Sequence, residues 1–418
     1  HILLRPDTYV GSAEPQCQEM FVFDEENARL VNRKVSFVPA LHKIFDEILM
    51  NAADNMRRDP SGMDLIDVTI DRLQGSISIM NNGRGIPVQM HKEHHCYVPE
   101  LIFGHLLTGD NYDDSERKIT GGRNGYGAKL ANIFSTKLIV ETADRCVGQR
   151  YRQVFERNMT EAHAPQMADY TGQDYTRVTF WPDLARFGLV DFSDDIVGLM
   201  AKRVYDVAGS TSGRCRVVLN GKAVPISGFK DYVQMYLGSG KDSSDGIYEH
   251  CNERWEVAVS ITDWGFQQVS LVNSICTLKG GTHVTHVLDH LVEAILKAAR
   301  ARHRGGLEIR PAHVRSHLWL FVSCLVESPA FDSQAKETLT TRPESFGSAC
   351  ELPDGLLRRL LKSGVVEAVL RFAQARQREC MGRQLRGLGG QEHVHGVPKL
   401  EDADDAGGRH SQDCTLIL

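Results

Sequence analysis

The sequence predicts an α+β fold whose first unit is a mixed sheet with helices on one face. The prediction depends on apolar alternation typical of strands, helical apolar stripes, and the order in which the two follow one another. This unit is expected to span residues 1–225. Its strands are expected around 67–71, 76–80, 136–143 and 175–181. Its helices are expected at about 40–57, 98–107, 126–135 and 192–208.

A smaller α/β unit with a long exit helix is expected to follow, over residues 226–380. Its strands are expected at 255–261, 268–273 and 319–324, around a long helix near 283–302. A second long helix, at about 353–380, would leave this unit as a stalk. Residues 381–411 are expected to form a linker, because the stretch from Gly387 to Ser411 is rich in Gly, Asp and His.

The composition of the 418 residues is that of a globular protein with two or three domains. No apolar run is long enough to cross a bilayer, so no membrane partner is expected. The ten cysteines include no Cys-x-x-Cys pair, and reduced thiols are therefore expected. The net charge of −6 does not by itself indicate nucleic-acid binding, for which local charge matters more.

A glycine-rich segment reads Gly121-Gly-Arg-Asn-Gly-Tyr-Gly-Ala-Lys129 and is followed by an apolar period suited to a helix. Its glycines let the backbone approach a ligand, and its N–H groups, with Arg123 and Lys129, suit an anion. The spacing matches neither a Walker A loop nor the dinucleotide fingerprint. The segment therefore predicts a phosphate site of another kind, with a flexible surface turn as the alternative.

A helix predicted to begin at Pro39 carries three polar residues beside its apolar stripe. Glu47, Asn51 and Asn55 are spaced at i, i+4 and i+8, so they lie along one side of the helix. Asn is a poor mid-helix residue, which makes solvated surface positions an inadequate explanation for two of them. An Asn amide oxygen can ligate Mg²⁺, and a carboxylate can polarise water.

A strand followed by a turn reads Ser76-Ile-Ser-Ile-Met-Asn-Asn-Gly-Arg-Gly-Ile-Pro87. With the helix before it and the glycine segment after it, this turn resembles the adenine-binding turn of the GHKL ATPases. Two further segments narrow the resemblance: His1-Ile-Leu-Leu-Arg-Pro-Asp-Thr-Tyr-Val-Gly-Ser12 and Phe331-Asp-Ser-Gln-Ala-Lys-Glu-Thr338. Together they resemble the ATPase and transducer region of eukaryotic-type DNA topoisomerase II, a type IIA enzyme of the GHKL superfamily.

The resemblance covers essentially the whole chain. It implies a GHKL-type ATPase sandwich, then a transducer domain, with residues 412–418 beginning a TOPRIM domain whose acidic residues lie beyond the sequence. The family's N-terminal arm would precede His1. A MutL-type or chaperone-type ATP-dependent dimer clamp shares the nucleotide site and is the alternative. The Tyr-Gly-Ala-Lys segment and the Arg-Pro-Asp-Thr-Tyr-Val-Gly segment favour topoisomerase over both, and over a bacterial gyrase subunit.

Residue roles follow from this resemblance. Glu47 and Lys336 are expected to be catalytic, Glu47 as the general base and Lys336 at the γ-phosphate. Asn51 is expected to hold Mg²⁺ with the ATP phosphates, and Asn81 and Thr176 to contact the adenine side. The expected ATP-binding residues are Asn51, Asn55, Asn81, Thr108, Gly109, Asp110, Asn111, Gly122, Arg123, Asn124, Gly125, Tyr126, Gly127, Ala128, Lys129, Thr176, Gln334, Ala335 and Lys336.

Two positions depart from the family pattern. Gly109 and Asp110 stand where the family has a pair of serines, so two hydroxyl donors are lost and a carboxylate is added. Ala335 stands between Gln334 and Lys336 where the family has Thr, and it offers no side-chain hydrogen bond. These departures put individual contacts in doubt and leave the predicted site in place.

A basic segment lies near the end of the helix predicted at 283–302. It contains Lys297, Arg300, Arg302, His303, Arg304, Arg310 and Arg315, with Glu308 as the one acid among them. A solvated helix end would carry the same charges. The resemblance favours DNA contact, and Arg300, Arg302 and Arg304 are the expected DNA-binding residues.

The resemblance implies an ATP-operated gate. ATP binding would close two protomers, as a homodimer, around a DNA duplex, and hydrolysis would reopen them. The complete enzyme would pass one duplex through a transient break in another, whereas the present sequence carries the ATPase alone. The expected location is the nucleus, with mitochondria or another DNA-containing organelle as the alternative.

Overall fold

The computed structural model of the protein describes residues 1–106, 125–238, 246–303, 306–388 and 409. The helices and strands of the first unit are, in chain order, α1 (Pro6–Tyr9), β1 (Gln16–Asp24), β2 (Arg29–Phe37), α2 (Pro39–Arg58), β3 (Leu65–Asp71), β4 (Ser76–Asn82), α3 (Val98–Gly104), α4 (Gly127–Ile133), β5 (Ser135–Asp144), β6 (Gln149–Glu156), β7 (Glu161–Ala162), β8 (Gln166–Asp169), β9 (Tyr175–Pro182), α5 (Asp194–Ser210), β10 (Arg216–Leu219) and β11 (Lys222–Ala223). A 3-10 helix spans Leu184–Phe187.

Within the described ranges, nine strands of this unit form one mixed sheet, in the order β11-β10-β3-β4-β9-β5-β6-β7, with β8 also paired to β6. Strands β10 and β3 run parallel, and the other neighbouring strands are antiparallel. The four strands predicted from the sequence are β3, β4, β9 and β5 at the centre of the sheet. The hairpin β1–β2 forms a separate sheet that the sequence analysis missed.

One face of the large sheet is covered by helices. Helix α2 packs on β4, and α4 packs on β5 and β9. The buried residues on this face alternate along the central strands, as the pleat requires: Ile66 and Val68 of β3, Ile77 and Ile79 of β4, Leu138 and Val140 of β5, and Val178 and Phe180 of β9. The predicted sandwich of a mixed sheet and helices is confirmed.

Helix α5 begins two residues later than predicted, and its N-cap explains why. Ser193 has extended backbone, and its hydroxyl accepts a hydrogen bond from the backbone N–H of Ile196 at 3.3 Å. Such a cap satisfies one of the N–H groups that a helix start leaves unpaired. Asp194 and Asp195 in the first turn further favour this start, because acidic side chains stabilise the positive end of a helix.

The second unit contains a smaller sheet and a long helix. Its helices and strands are α6 (Phe229–Leu237), β12 (Ile247–Asn252), β13 (Trp255–Ile261), β14 (Gln267–Val272), β15 (Ile275–Cys276), β16 (Gly280–Gly281), α7 (Thr282–Arg302), α8 (Pro311–Arg315), β17 (Leu318–Cys324), β18 (Thr338–Leu339), α9 (Asp354–Lys362) and α10 (Val365–Leu388). Among the described residues, five strands form the main sheet, in the order β12-β13-β17-β14-β15. The apolar side of α7 is buried against this sheet.

The long exit helix is divided in two, which corrects the single helix predicted at about 353–380. Helix α9 ends at Lys362, and α10 begins at Val365. Gly364 between them has a φ of +92°, which a continuous right-handed helix does not allow. The backbone of α10 continues to Leu388, so the first residues of the linker predicted from residue 381 are helical.

An apolar cluster joins the two units near residue 226, where the sequence analysis places a domain boundary. Leu30 of β2 packs with Phe229 and Tyr232 of α6 and with Phe321 of β17. Phe21 of β1 lies parallel to Trp319 of β17, with ring centroids 6.0 Å apart. The β1–β2 hairpin thus belongs to the first unit in sequence and contacts the second unit in space. The boundary itself stays a prediction.

A short parallel pairing fixes the loop that carries Lys336. Gly280 pairs with Thr338 and Gly281 with Leu339, between β16 and β18. The backbone N–H of Lys279 donates to the carbonyl oxygen of Glu337 at 3.0 Å. This pairing ties the loop directly to the start of α7, which follows β16 without a break.

Replacing Gly281 by Ala should destabilise the protein. Gly281 has a φ of +137°, and a Cβ there would overlap the backbone of Leu339. We expect the free energy of unfolding to fall by roughly 2 kcal/mol or more, since both strain and a clash result. The measurement is urea unfolding followed by tryptophan fluorescence.

Gly355→Ala in α9 is the matched control, because a Cβ there meets no neighbouring atom. It should leave stability unchanged or raise it by up to about 1 kcal/mol. Equal stabilities for the two variants would contradict the pairing of β16 with β18.

Candidate functional site

The site is centred on Glu47, in the middle of α2. Pro39 occupies the first turn of this helix, where its fixed φ is suited to a start. The helix packs on the sheet, on α4 and on α5, so its interior residues are buried on most sides. Glu47 is 4% exposed. A carboxylate so far from water needs charged or hydrogen-bonding partners.

Two lysines supply those partners. Lys43, one turn earlier on α2, places its Nζ 2.7 Å from Glu47 Oε1, and Lys336 places its Nζ 3.3 Å from the same oxygen. Burial alone would raise the pKa of Glu47, but the ammonium groups of Lys336 and Lys43 outweigh it, and the pKa lies below its ordinary value. Glu47 is therefore held as a carboxylate, the form that a general base needs.

Lys336 reaches Glu47 from the second unit, on a loop that backbone hydrogen bonds hold in place. The backbone N–H of Asp332 donates to the carbonyl oxygen of Thr338 at 3.2 Å, and that of Lys336 donates to Ser333 at 3.1 Å. Lys336 has a φ of +60° and is 7% exposed. A bulky residue with a left-handed backbone is uncommon and costs energy, and such residues concentrate at functional sites.

The end of the glycine-rich segment packs against the side chain of Glu47. Helix α4 begins at Gly127, and a Cβ at this position would overlap the carboxylate of Glu47. Two residues later, Lys129 is buried and donates from Nζ to the carbonyl oxygen of Gly125 at 2.6 Å. Burial lowers the pKa of Lys129 to about 8. The helix that follows the predicted phosphate segment is thus packed against the proposed base.

Asn81 and Thr176, expected on the adenine side, are direct neighbours across β4 and β9. Thr142 of β5 continues the same row, and its Oγ1 lies 3.0 Å from Thr176 Oγ1. Thr142 also accepts a hydrogen bond from the backbone N–H of Ile86 at 3.0 Å, which fixes the end of the turn. Thr142 was not predicted from the sequence, because only strand pairing places it beside residues distant in the chain.

The Asn-Asn-Gly-Arg-Gly turn is held by the C-terminal end of α2. Asn55 donates from Nδ2 to the carbonyl oxygen of Arg84 at 3.2 Å. Asp59 accepts from the backbone N–H of Arg84 at 2.8 Å. Asn55, predicted to contact ATP, is therefore engaged in positioning the turn. Asp59 has the same role and was not identified from the sequence.

The remaining predicted ATP residues divide into two groups. Among those described, Asn51 is exposed on α2, Gly125, Tyr126 and Gln334 are half-buried, Ala128 is buried and Ala335 is exposed. The others lie outside the described residues: Thr108, Gly109, Asp110, Asn111, Gly122, Arg123 and Asn124.

The predicted DNA segment is less basic in space than in sequence. Arg300 is exposed, whereas Arg302 forms an ion pair with Glu367 of α10. Arg315 pairs with Asp289 at 2.7 Å, and Arg310 pairs with Glu308 at 2.9 Å. Glu367 and Asp289 are distant in sequence, so counting acids along the segment underestimated the neutralisation. Arg304 lies outside the described residues.

Two protein-family models match successive parts of the chain. A model described as "Histidine kinase-, DNA gyrase B-, and HSP90-like ATPase" matches residues 38–186. A model described as "DNA gyrase B" matches residues 228–386. The first range contains Glu47 and the second contains Lys336, so the two charged partners belong to different family domains.

Curated relatives match the whole chain. DNA topoisomerase 2 of Drosophila melanogaster is 50% identical over 424 residues, and human DNA topoisomerase 2-alpha is 48% identical over 422. Both alignments cover 100% of this chain, which spans only 29% and 27% of the two relatives.

Solved structures decide the family. The ATPase region of Saccharomyces cerevisiae topoisomerase II is 48% identical with a TM-score of 0.84, over 89% of this chain and 97% of that one. The chain belongs to the eukaryotic DNA topoisomerase II family. The ATPase and transducer domains of topoisomerase II from Balamuthia mandrillaris are 47% identical with a TM-score of 0.86, over 90% and 96%.

These topoisomerase II structures confirm the fold class and the ATPase and transducer assignment predicted from the sequence. The match also decides against the MutL-type and chaperone-type alternatives. The ATPase domain of Thermus thermophilus gyrase B is 23% identical with a TM-score of 0.61, over 92% of this chain and 97% of that one, and shares the fold alone. In the described ranges, every helix is too short or too polar to span a bilayer.

Lys43, which the sequence analysis also missed, offers a test of the electrostatics at Glu47. Lys43→Met removes one of the two ammonium groups that offset burial, so the pKa of Glu47 should rise. The protonated form of Glu47 would then persist to a higher pH. The measurement is a pH titration of the Glu47 carboxyl carbon-13 signal.

Lys34→Met, on an exposed position of β2, is the control and should leave the Glu47 titration at its wild-type position. A titration of Glu47 that does not move in Lys43→Met would show that Lys43 contributes nothing to its charge state.

Proposed function

We propose that this chain binds and hydrolyses ATP, as the nucleotide-operated gate of a DNA topoisomerase II. The observation that carries the proposal is the buried Glu47 carboxylate, held ionised by Lys43 and by Lys336 of the second unit. Gly127 abuts the same carboxylate, so the glycine-rich segment, the helix and the second unit converge on one group.

In this proposal Glu47 accepts the proton of the attacking water. A carboxylate with a low pKa stays deprotonated at neutral pH, and its burial excludes competing solvent. Lys336 can move between Glu47 and the γ-phosphate, because its ammonium is a compact charge on a flexible stem. The ion pair between them also fixes where water can approach.

The nucleotide would lie between the row of Asn81 and Thr176 on the sheet and the start of α4. Lys129, buried with a lowered pKa, is suited to a phosphate, because a nearby anion favours its charged form. Gln334 and Lys336 would contact the phosphates from the second unit. Gly109, Asp110 and Ala335 would alter individual contacts relative to the family.

The residues present fit a magnesium ion. Asn51 is exposed one turn beyond Glu47 on α2, and its amide oxygen is a hard donor of the kind that Mg²⁺ accepts alongside phosphates. The bound ion would neutralise phosphate charge. Asn51 would hold it on the side of α2 that carries Glu47, so that metal and base act on the same phosphate.

In the full-length protein, ATP would close two copies of this region as a homodimer around a DNA duplex, and hydrolysis would reset the gate. Strand passage by the complete enzyme would then change DNA topology. Because the curated relatives are eukaryotic topoisomerases, the proposed location is the nucleus, with a DNA-containing organelle as the other site of action.

Glu47→Gln should abolish hydrolysis while sparing nucleotide binding. The amide keeps the size of the side chain and cannot accept the proton, so the turnover number should fall by roughly 10²–10⁴-fold. The measurement pairs steady-state ATP hydrolysis with binding of a non-hydrolysable analogue.

Glu293→Gln, exposed on α7, is the control and should hydrolyse ATP at the wild-type rate. Near-normal turnover in Glu47→Gln would remove Glu47 from the mechanism and, with it, the main support for hydrolysis at this site.

Replacing Arg300, Arg302 and Arg304 together by Gln should reduce the ratio of DNA-stimulated to basal hydrolysis. Each lost phosphate contact should flatten the salt dependence of DNA binding by about 0.9 in log–log slope. Arg302 is already paired with Glu367, so Arg300 should account for more of the loss. Sequence preference should not change, because phosphate contacts carry none.

The measurement titrates ATPase with duplex DNA at two salt concentrations. The control replaces Arg33 and Arg72 by Gln, since both pair with aspartates of α5 on the first unit, away from this segment. A triple variant that responds to DNA like the wild type would make the segment an ordinary charged helix end.

A further inference from the structure

A second buried connection links the neighbourhood of Glu47 to the second unit. Asp46, next to Glu47 on α2, is 8% exposed and accepts a hydrogen bond from Arg203 Nε at 2.7 Å. Lys43 lies between the two acids, 2.7 Å from Glu47 and 3.8 Å from Asp46. Asp46 therefore links Arg203 to Lys43, the lysine that forms an ion pair with Glu47.

Arg203 itself spans the junction between the units. It lies on α5, is 3% exposed, and donates from Nη2 to the carbonyl oxygen of Ser274 at 2.6 Å. Ser274 belongs to the turn between β14 and β15 of the second unit and has a φ of +64°. The Arg203 guanidinium thus binds the carboxylate of Asp46 on α2 and, across the junction, the backbone of the Ser274 turn.

That turn is fixed to the strand that leads into the Lys336 loop. Asn273 donates from Nδ2 to the carbonyl oxygen of Val326 at 2.9 Å, and its Oδ1 accepts from the N–H of Val326 at 2.8 Å. Val326 follows β17 and precedes the loop that carries Lys336. Both bonds are buried, so they fix the turn against the chain that leads into the loop.

The contacts form a closed ring. From Glu47 it passes through Lys43 and Asp46 to Arg203, crosses to Ser274 and Asn273, and returns through Val326 and the loop to Lys336. Glu47 therefore contacts the second unit directly through Lys336 and indirectly through Arg203.

We infer that Arg203 is a positioning residue that sets where the second unit docks, and so whether Lys336 reaches Glu47. The inference rests on the proposed function, in which Glu47 and Lys336 act on ATP. Arg203 does not touch the base itself. It acts by holding the backbone of the Ser274 turn, whereas Arg57 binds only the rotatable hydroxyl of Ser274.

The geometry calls for an arginine rather than a lysine. A guanidinium presents several donors in a rigid fork, so it can bind Asp46 and the Ser274 carbonyl at the same time. A lysine ammonium could keep the charge beside Asp46 without spanning both acceptors. Two substitutions therefore separate the two roles of Arg203. Arg203→Lys keeps the positive charge and removes the bridge to Ser274, whereas Arg203→Met removes both.

Arg203→Lys should keep thermal stability near the wild-type value and still lose turnover, by roughly tenfold to a hundredfold, the size expected when a catalytic group is misplaced. ADP affinity should remain close to wild type, because Asn81 and Thr176, the residues proposed on the adenine side, are untouched. Arg203→Met should show the same loss of turnover together with lower stability. Should Arg203→Met fail to fold, Arg203→Lys carries the test.

Coupling to Lys336 is the decisive measurement. In a Lys336→Ala background, Arg203→Lys should cost much less turnover than in the wild type, because the group that it positions is gone. Residues in contact or in one network show such non-additivity, whereas independent residues do not. Additive losses, or full turnover in Arg203→Lys, would overturn the inference.

Arg57 provides a matched control. It is half-buried at the junction and binds Ser274, but through the hydroxyl at 2.5 Å, and it pairs with Asp54 rather than with Asp46. Arg57→Met should lower stability, and any effect on turnover should add to that of Lys336→Ala. Non-additivity for Arg57 as well would mean that any arginine at the junction has the same effect.

Backbone hydrogen exchange tests the docking without reference to catalysis. Arg203→Lys should speed exchange at residues 273–276 and at 331–337, whereas Arg57→Met should leave 331–337 unchanged. Unaltered exchange in Arg203→Lys would overturn the inference on its own. Faster exchange at 331–337 in a protein whose wild type does not hydrolyse ATP would instead refute the proposed function and leave the docking role intact.

Discussion

The structure depends on how helix α2 accommodates three buried carboxylates. Asp46, Glu47 and Asp54 are all nearly excluded from water, and an unpaired charge in such a place would cost several kcal/mol. Each has a cationic partner within 3.3 Å: Arg203 for Asp46, Lys43 and Lys336 for Glu47, and Arg57 for Asp54. Two of these four cations, Arg203 and Lys336, come from outside α2. All the ion pairs of the three carboxylates therefore form only when α5 and the second unit are in place.

This requirement joins chemistry to architecture. Burial by itself would raise the pKa of Glu47, and Lys43 of the same helix supplies one of the charges that lower it. Lys336 adds a second cation from the second unit, so the position of that unit is part of the site. Arg57 and Arg203 both end on Ser274. A single turn of the second sheet therefore contacts cations that neutralise two different carboxylates of α2.

The sequence predicts those parts that depend on local periodicity. Helix α2, the central strands and the helix α7 follow from apolar spacing, and Glu47 follows from its place beside the stripe. Thr142 and Arg203 could not be found in this way, because their partners are 34 and 157 residues distant in the chain. The division between α9 and α10 was missed because periodicity continues through Ser363 and Gly364, and only the positive φ of Gly364 interrupts the helix. The β1–β2 hairpin was missed because half of its strand residues are exposed, which weakens the alternation that identifies a strand.

The backbone of Lys336 is fixed by other parts of the second unit. A left-handed lysine is strained, and it persists only where its surroundings fix it. Here the bonds between Asp332 and Thr338 close the loop, and the pairing of β18 with β16 ties its far end to α7. The backbone of Lys336 is therefore held by the second sheet and α7, and its ammonium reaches Glu47 from there on a flexible side chain. Any displacement of that body relative to α2 changes the distance from Lys336 to Glu47, and with it one of the two cationic interactions that keep the pKa of Glu47 low.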